Sequence, residues 1–156
     1  MVSNLIRIGF LIISWTAIAF LPKNALRKYL PVSLFCSLLA ICGCFLSHKY
    51  RWWKVKGGIA ELIFHDLSFI FGPFSAATIW IFHLSFGKFK RYALLNLIAN
   101  LGFAYPITYF SERYNVYKLV NFKRIYLFLY YYLFAFIIYG YQLLIERSRK
   151  WFTVKL

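Results

Sequence analysis

The sequence predicts an all-α protein, a polytopic integral membrane helical bundle built from five apolar helical segments. Three observations predict it. Hydrophobic residues make up 62% of the 156 residues and charged residues only 15%, against about 45–50% and about 25% in an ordinary soluble domain. The apolar residues are gathered into runs, most of them near the ~20 residues that a helix needs to cross a ~30 Å hydrocarbon layer. The 19 Lys and Arg, set against 4 Asp and Glu for a net charge of +15, fall in short groups between those runs. Nucleic-acid binders instead collect cations on one face or along one helix, so no nucleic-acid partner is predicted. An aromatic content of 23% excludes disorder. The runs do not alternate in polarity, which excludes barrel strands. No linker, repeat or low-complexity segment divides the chain, so residues 1–156 read as one transmembrane helical domain.

The first run, 8–21, follows Arg7 and closes at Pro22-Lys23. It reads as an uncleaved span or as a secretory signal whose cleavage site is Ala17-Ile18-Ala19; the four runs that follow favour the span. The second, 30–46, carries Pro31, placed where a helix accepts proline in its first turn, and ends at Ser47-His48-Lys49. Ser33, Cys36, Ser37, Ala40, Gly43, Cys44 and Ser47 recur along it every three to four residues. Small side chains at helical spacing let backbones approach closely, so this stripe is a helix-packing face, within the chain or between chains. All three cysteines, Cys36, Cys42 and Cys44, lie here. They form no disulfide framework or zinc motif and read as buried thiols.

The third region pairs an amphipathic stretch, 59–66, with a span, 67–86, broken at Gly72-Pro73. Glu61, His65 and Ser68 share one helical face, with Asp66 beside it. A charge at mid-bilayer costs about 2.5–3.5 kcal/mol, while each Leu or Ile returns only about 0.3–0.6. These side chains therefore belong at the interface or inside protein. One reading is an interfacial helix leading into the span. The other is a polar site of Glu61, His65, Asp66 and His83, in which Glu61 and His65 would hold a metal from one face. A closed zinc site needs four ligands, and only two stand at helical spacing, so no metal or cofactor is predicted. Gly72-Pro73 is either a proline start to the span or a break of the transporter kind, with Ser75 and Thr78 at the positive end of a half-helix.

The fourth run, 92–110, holds Asn96 and Asn100 one turn apart. An amide in lipid needs a partner, so this pair is expected to bond a neighbouring helix. The fifth, 125–145, is uncharged, rich in Tyr and Phe, and followed by Glu146, which is expected to pair with Arg149 or Lys150. Arg51, Trp52, Trp53 and Lys54, and Arg149, Lys150 and Trp151, combine cations with aromatic rings at run ends. That is the composition of a membrane–water boundary holding anionic headgroups.

If all five runs cross, nine Lys and Arg lie on one side and ten on the other; if the third enters and leaves by one face, twelve face seven. Cation bias favours four crossings; the apolar length of 67–86 favours five, and the reading leans that way. A near-even count also predicts insertion in both orientations, with antiparallel pairing of the chain with itself.

The second, fourth and fifth runs carry no ionised residue, whereas pumps and proton-coupled carriers keep such groups along their pathways. Hydrolase triads, phosphate-cradling Gly loops and haem motifs are missing from the sequence. The expected function is that of a non-catalytic interaction or accessory protein, whose partners are the lipid bilayer and itself or another membrane protein. The alternatives are a small oligomeric transporter or channel using the broken third helix, and a membrane enzyme or metal-site protein using Glu61, His65, Asp66 and His83.

Gly72-Pro73-Phe74, Trp80, Gly87-Lys88-Phe89, Tyr92 and Asn96, with Arg27-Lys28-Tyr29-Leu30-Pro31 and Gly140-Tyr141-Gln142, resemble a family of small uncharacterised multi-spanning membrane proteins of spore-forming Gram-positive bacteria. The resemblance covers most of the chain. It implies a bacterial plasma-membrane location and brings no activity or catalytic residue with it.

Overall fold

The computed structural model describes residues 2–55 and 58–154, with side chains over 4–55 and 58–148. Five helices make a bundle: α1 (Val2–Ala19), α2 (Lys23–Tyr50), α3 (Ile59–Ser85), α4 (Phe89–Arg113) and α5 (Arg124–Val154). Among them α2, α3, α4 and α5 are long and apolar enough to cross a membrane. The 18 residues of α1 span about 27 Å at the helical rise. A two-residue antiparallel ribbon, β1 (Trp53–Lys54) with β2 (Lys118–Leu119), pairs Trp53 with Leu119 and Lys54 with Lys118. It ties the loop after α2 to the loop before α5.

The helices run alternately up and down. At one end Arg7 of α1 meets Glu61 at the start of α3 and Val116 after α4. At the other, Lys28 near the start of α2 pairs with Glu146 late in α5, and the Trp80 indole of α3 donates to Ala17 O. Thus α3 runs from one end to the other, and a third segment that enters and leaves by the same face is not what forms. Glu146 also reaches Lys28 at 3.3 Å, where the end of α5 packs on α2; its expected partners Arg149 and Lys150, like Trp151, have side chains outside the described residues.

The break expected at Gly72-Pro73 forms as a kink: Gly72 takes non-helical angles (φ −108°, ψ −108°) within the π turn Ile70–Phe74, and residues 59–66 are the helical turns that lead into it. Proline lacks an N–H and its ring crowds the carbonyl four residues back. The wider turn relieves the clash, and Ile70 O takes both the Ser75 N–H and, at 2.7 Å, the Ser75 hydroxyl. The same device recurs in α4, where Pro106 lies in the π turn Phe103–Ile107 and Thr108 Oγ1 donates to Phe103 O at 2.9 Å. Pro31 differs from expectation as well. The helix starts at Lys23, so Pro31 lies inside α2 rather than in its first turn.

Helix α3 packs against α1, α2 and α4, and α5 against α2 and α4. The core between them holds Tyr29, Val32, Cys36, Ile79, Phe82, Tyr92, Ile138 and Tyr139. Glycines set two close approaches. A Cβ on Gly43 would run into Tyr130 Oη, and one on Gly72 would lie 3.0 Å from Leu11 Cδ2.

Candidate functional site

Polar side chains converge at the end of the bundle where α1 and α3 begin. Arg7, one turn from the start of α1, is only 4% exposed. Its Nη1 donates to Glu61 Oε2 at 2.6 Å and to Asn4 Oδ1 at 3.0 Å, and its Nη2 donates to Val116 O at 3.2 Å. Its Nε is buried and has no hydrogen-bond partner among the described residues. Asp66, 6% exposed, accepts from His48 Nε2 at 2.8 Å and from Trp53 Nε1 at 3.2 Å. The carboxylate of α3 thereby fastens the end of α2 and the ribbon strand β1. The His65 ring lies 5.1 Å from that of Tyr117, and the Tyr117 and Thr108 hydroxyls are 2.7 Å apart. Burial pushes the Tyr117 hydroxyl up to about 12, and the bond to Thr108 pulls the other way. Glu112 closes the loop before α5, taking Arg124 Nη2 at 2.6 Å and Leu119 N at 3.2 Å.

The four residues of the sequence-derived polar site are therefore dispersed. Glu61 goes to Arg7, His65 to Tyr117 and Asp66 to His48 and Trp53. His83 is exposed near the far end of α3, its ring 6.0 Å from that of Trp80. Among the described residues, no three His, Cys, Asp or Glu side chains gather where they would hold a metal ion. Arg7, His48 and Trp53 belong to this cluster and were read from the sequence as boundary residues. Arg7 finds Glu61 54 positions away, a separation that helical periodicity does not register. Arg51 and Lys54 are exposed and Trp52 and Trp53 half-buried at the same end.

The small-residue stripe of α2 faces inward. Ser33, Cys36, Ser37, Ala40, Gly43 and Ser47 are buried and Cys44 is half-buried, while Cys42 is exposed. Ser37 Oγ lies 3.1 Å from Ser75 Oγ, and Thr78 Oγ1 donates to Cys36 Sγ at 3.8 Å. The stripe packs α2 on α3 and, through Gly43, on Tyr130 of α5. Asn96 satisfies one amide N–H on its own helix, at Tyr92 O, 3.0 Å away. The bond between helices comes from Tyr92, whose hydroxyl donates to Ala135 O at 2.8 Å.

Hollows lie beside these side chains. A cavity of about 390 Å³ lies between α3, α4 and α5, walled by aromatic and small apolar side chains and touched by Thr78, Asn96 and Asn100. A second, of about 50 Å³, is lined by Arg7, His65, Ser68, Ser111 and Tyr117. Phe69 and Phe103, stacked with centroids 4.7 Å apart, line both. A third, of about 250 Å³, is a groove between α1 and α4.

Comparison with protein-family models, with curated proteins and with solved structures gives no match. The fold therefore defines the class: a helical bundle in which four helices are long and apolar enough to cross a membrane.

Proposed function

We propose that the chain is an integral membrane protein crossing five times, and that it acts as a non-catalytic interaction or accessory protein of a bacterial plasma membrane. The observation that carries the membrane reading is the inverted distribution of polarity. Large apolar side chains such as Ile12, Ile13, Leu38, Leu94, Ile98 and Leu133 point outward along all five helices, counting Leu67 and Phe71 on α3. Arg7, Asp66, Asn96, Thr108 and Gln142 point inward. A soluble monomer rarely exposes contiguous apolar patches beyond a few hundred Å². Hydrocarbon accepts such a surface and penalises unpaired polar groups; here the Asp66 carboxylate and the Thr108 hydroxyl turn to partners in the protein. The accessory reading follows from the same inventory: Glu61, Asp66 and Glu112 are each engaged in holding loops and helix ends together. By sequence position, nine Lys and Arg fall to one end and ten to the other, two cationic boundaries for anionic lipid.

A second reading, a small carrier, rests on the cavity of about 390 Å³ beside the two π turns. Reconstitution separates the two. Vesicles containing the protein that stay inert to ions and small solutes support the accessory role. A flux abolished by Ala99→Phe, which fills the cavity from an exposed lining position, supports the carrier and overturns it.

A further inference from the structure

Asn100 carries an amide that the bundle leaves free. It is half-buried on α4, one residue from the middle of Phe89–Arg113, and so about 1.5 Å along the axis from the midpoint of that span. Among the described residues its side chain makes no hydrogen bond, whereas Asn96, one turn away, gives an N–H to Tyr92 O and Thr78 gives its hydroxyl hydrogen to Phe74 O. The middle of a bilayer holds no water to satisfy a polar group. A partner for this amide has to arrive through the lipid.

The space for it is the cavity of about 390 Å³, which Asn100 lines with Asn96 and Thr78. Pro73 of one π turn and Phe103 of the other stand on its wall, and such turns are frequent at functional sites. Ala77 of α3 and Ala99 of α4 line it and are exposed, so it opens sideways to lipid past two methyl groups. Among the described residues no charged side chain lines it, which favours a neutral occupant. Four of its side chains, Phe69, Phe74, Phe103 and Tyr131, form a continuous aromatic wall with ring centroids 4.7–6.0 Å apart. Aromatic faces and edges favour another flat ring. An apolar cavity of about 150 Å³ already takes benzene, so this one has room for a substituted ring and the start of a chain. An acyl chain alone would fill the space and leave the amide unpaired.

We propose that the cavity between α3, α4 and α5 binds a neutral, lipid-soluble ring bearing carbonyl oxygens, the chemistry of a quinone, with one carbonyl accepting an N–H of Asn100 and the ring against the aromatic wall. The inference rests on the membrane reading, which is what keeps water from Asn100.

The test places the full chain, labelled with ¹⁵N-asparagine, in phosphatidylcholine nanodiscs and titrates decylubiquinone. The side-chain amide resonance of Asn100 should shift and saturate at one quinone per chain, while those of Asn115 and Asn121, outside the cavity, stay in place. In Asn100→Leu, with Asn96 as the reporter, binding should weaken about tenfold, as loss of one buried hydrogen bond implies. Ala77→Phe fills the mouth from α3 and should abolish the shift with the helical circular dichroism unchanged. It keeps the test decisive if Asn100→Leu does not fold. Hexadecane, with neither ring nor oxygen, and dodecanol, with an oxygen but no ring, should not reproduce the shift. Absence of a saturable shift in a folded, incorporated chain would overturn the proposal and leave the cavity to lipid chains or water. So would an equal shift with hexadecane or dodecanol, or binding indifferent to either variant. Failure to enter the nanodisc at all would overturn the membrane reading with it.

Discussion

Replacing Asp66 by alanine removes one side chain that joins three elements. Its carboxylate sits on α3, 6% exposed, and takes hydrogen bonds from His48 near the end of α2 and Trp53 on β1. A hydrogen bond to a charged acceptor is worth about 1.5–3 kcal/mol net. His48 keeps 30% of its side chain accessible and recovers part of its loss from water, whereas the Trp53 indole recovers less. The expected destabilisation by Asp66→Ala is therefore about 2–4 kcal/mol. Asp66→Asn retains a carbonyl acceptor and should fall between wild type and Asp66→Ala. The assay is reversible unfolding in mixed micelles of dodecyl maltoside and dodecyl sulfate, followed by tryptophan fluorescence, to which Trp52 and Trp53 report directly. A double-mutant cycle with Trp53→Phe should return a coupling of about 0.5–3 kcal/mol, the range for residues in one hydrogen-bond network. Asp66→Ala within about 0.5 kcal/mol of wild type, the range of an ordinary surface substitution, would refute the claim that this carboxylate fastens the end of the bundle.

Gly43→Leu should cost about 1–3 kcal/mol by overpacking, because a Cβ there runs into Tyr130 Oη; in the same unfolding assay, adding Tyr130→Ala should return much of the loss. Tyr117 contributes a pH dependence of fixed sign: its hydroxyl is raised to about 12 in the fold against about 10 in an unfolded chain. The stability it gives is fully present below pH 10 and is lost as pH rises from about 10 to 12, amounting to about 2 kcal/mol; the difference between wild type and Tyr117→Phe across that window measures it. The even division of Lys and Arg, nine against ten, predicts that reporter fusions at the C-terminus are found on both sides of the membrane; a single orientation in every molecule would remove antiparallel self-pairing.

The helices were readable because each rests on a local signal, a run of apolar residues between cations, and the small-residue stripe of α2 because helical spacing alone places it on one face. The π turns were half readable. Proline marked where the ladder breaks, but not that the hydroxyls of Ser75 and Thr108, two residues on in each case, would bond Ile70 O and Phe103 O across the wide turn. The polar cluster was hidden for a different reason. Glu61, His65 and Asp66 stand together in sequence, yet successive residues on a helix leave it in different directions. They meet Arg7, Tyr117 and His48 from three other parts of the chain. Long-range pairing of single charges leaves no periodic trace.

The central claim is that hydrocarbon surrounds this bundle. Single nitroxide labels at Leu38, Ile98 and Leu133, which point outward from α2, α4 and α5, test it most directly. In reconstituted vesicles, all three should collide far more often with oxygen, which dissolves in lipid, than with a water-soluble nickel chelate. Equal or greater access of the nickel chelate at these positions would contradict it.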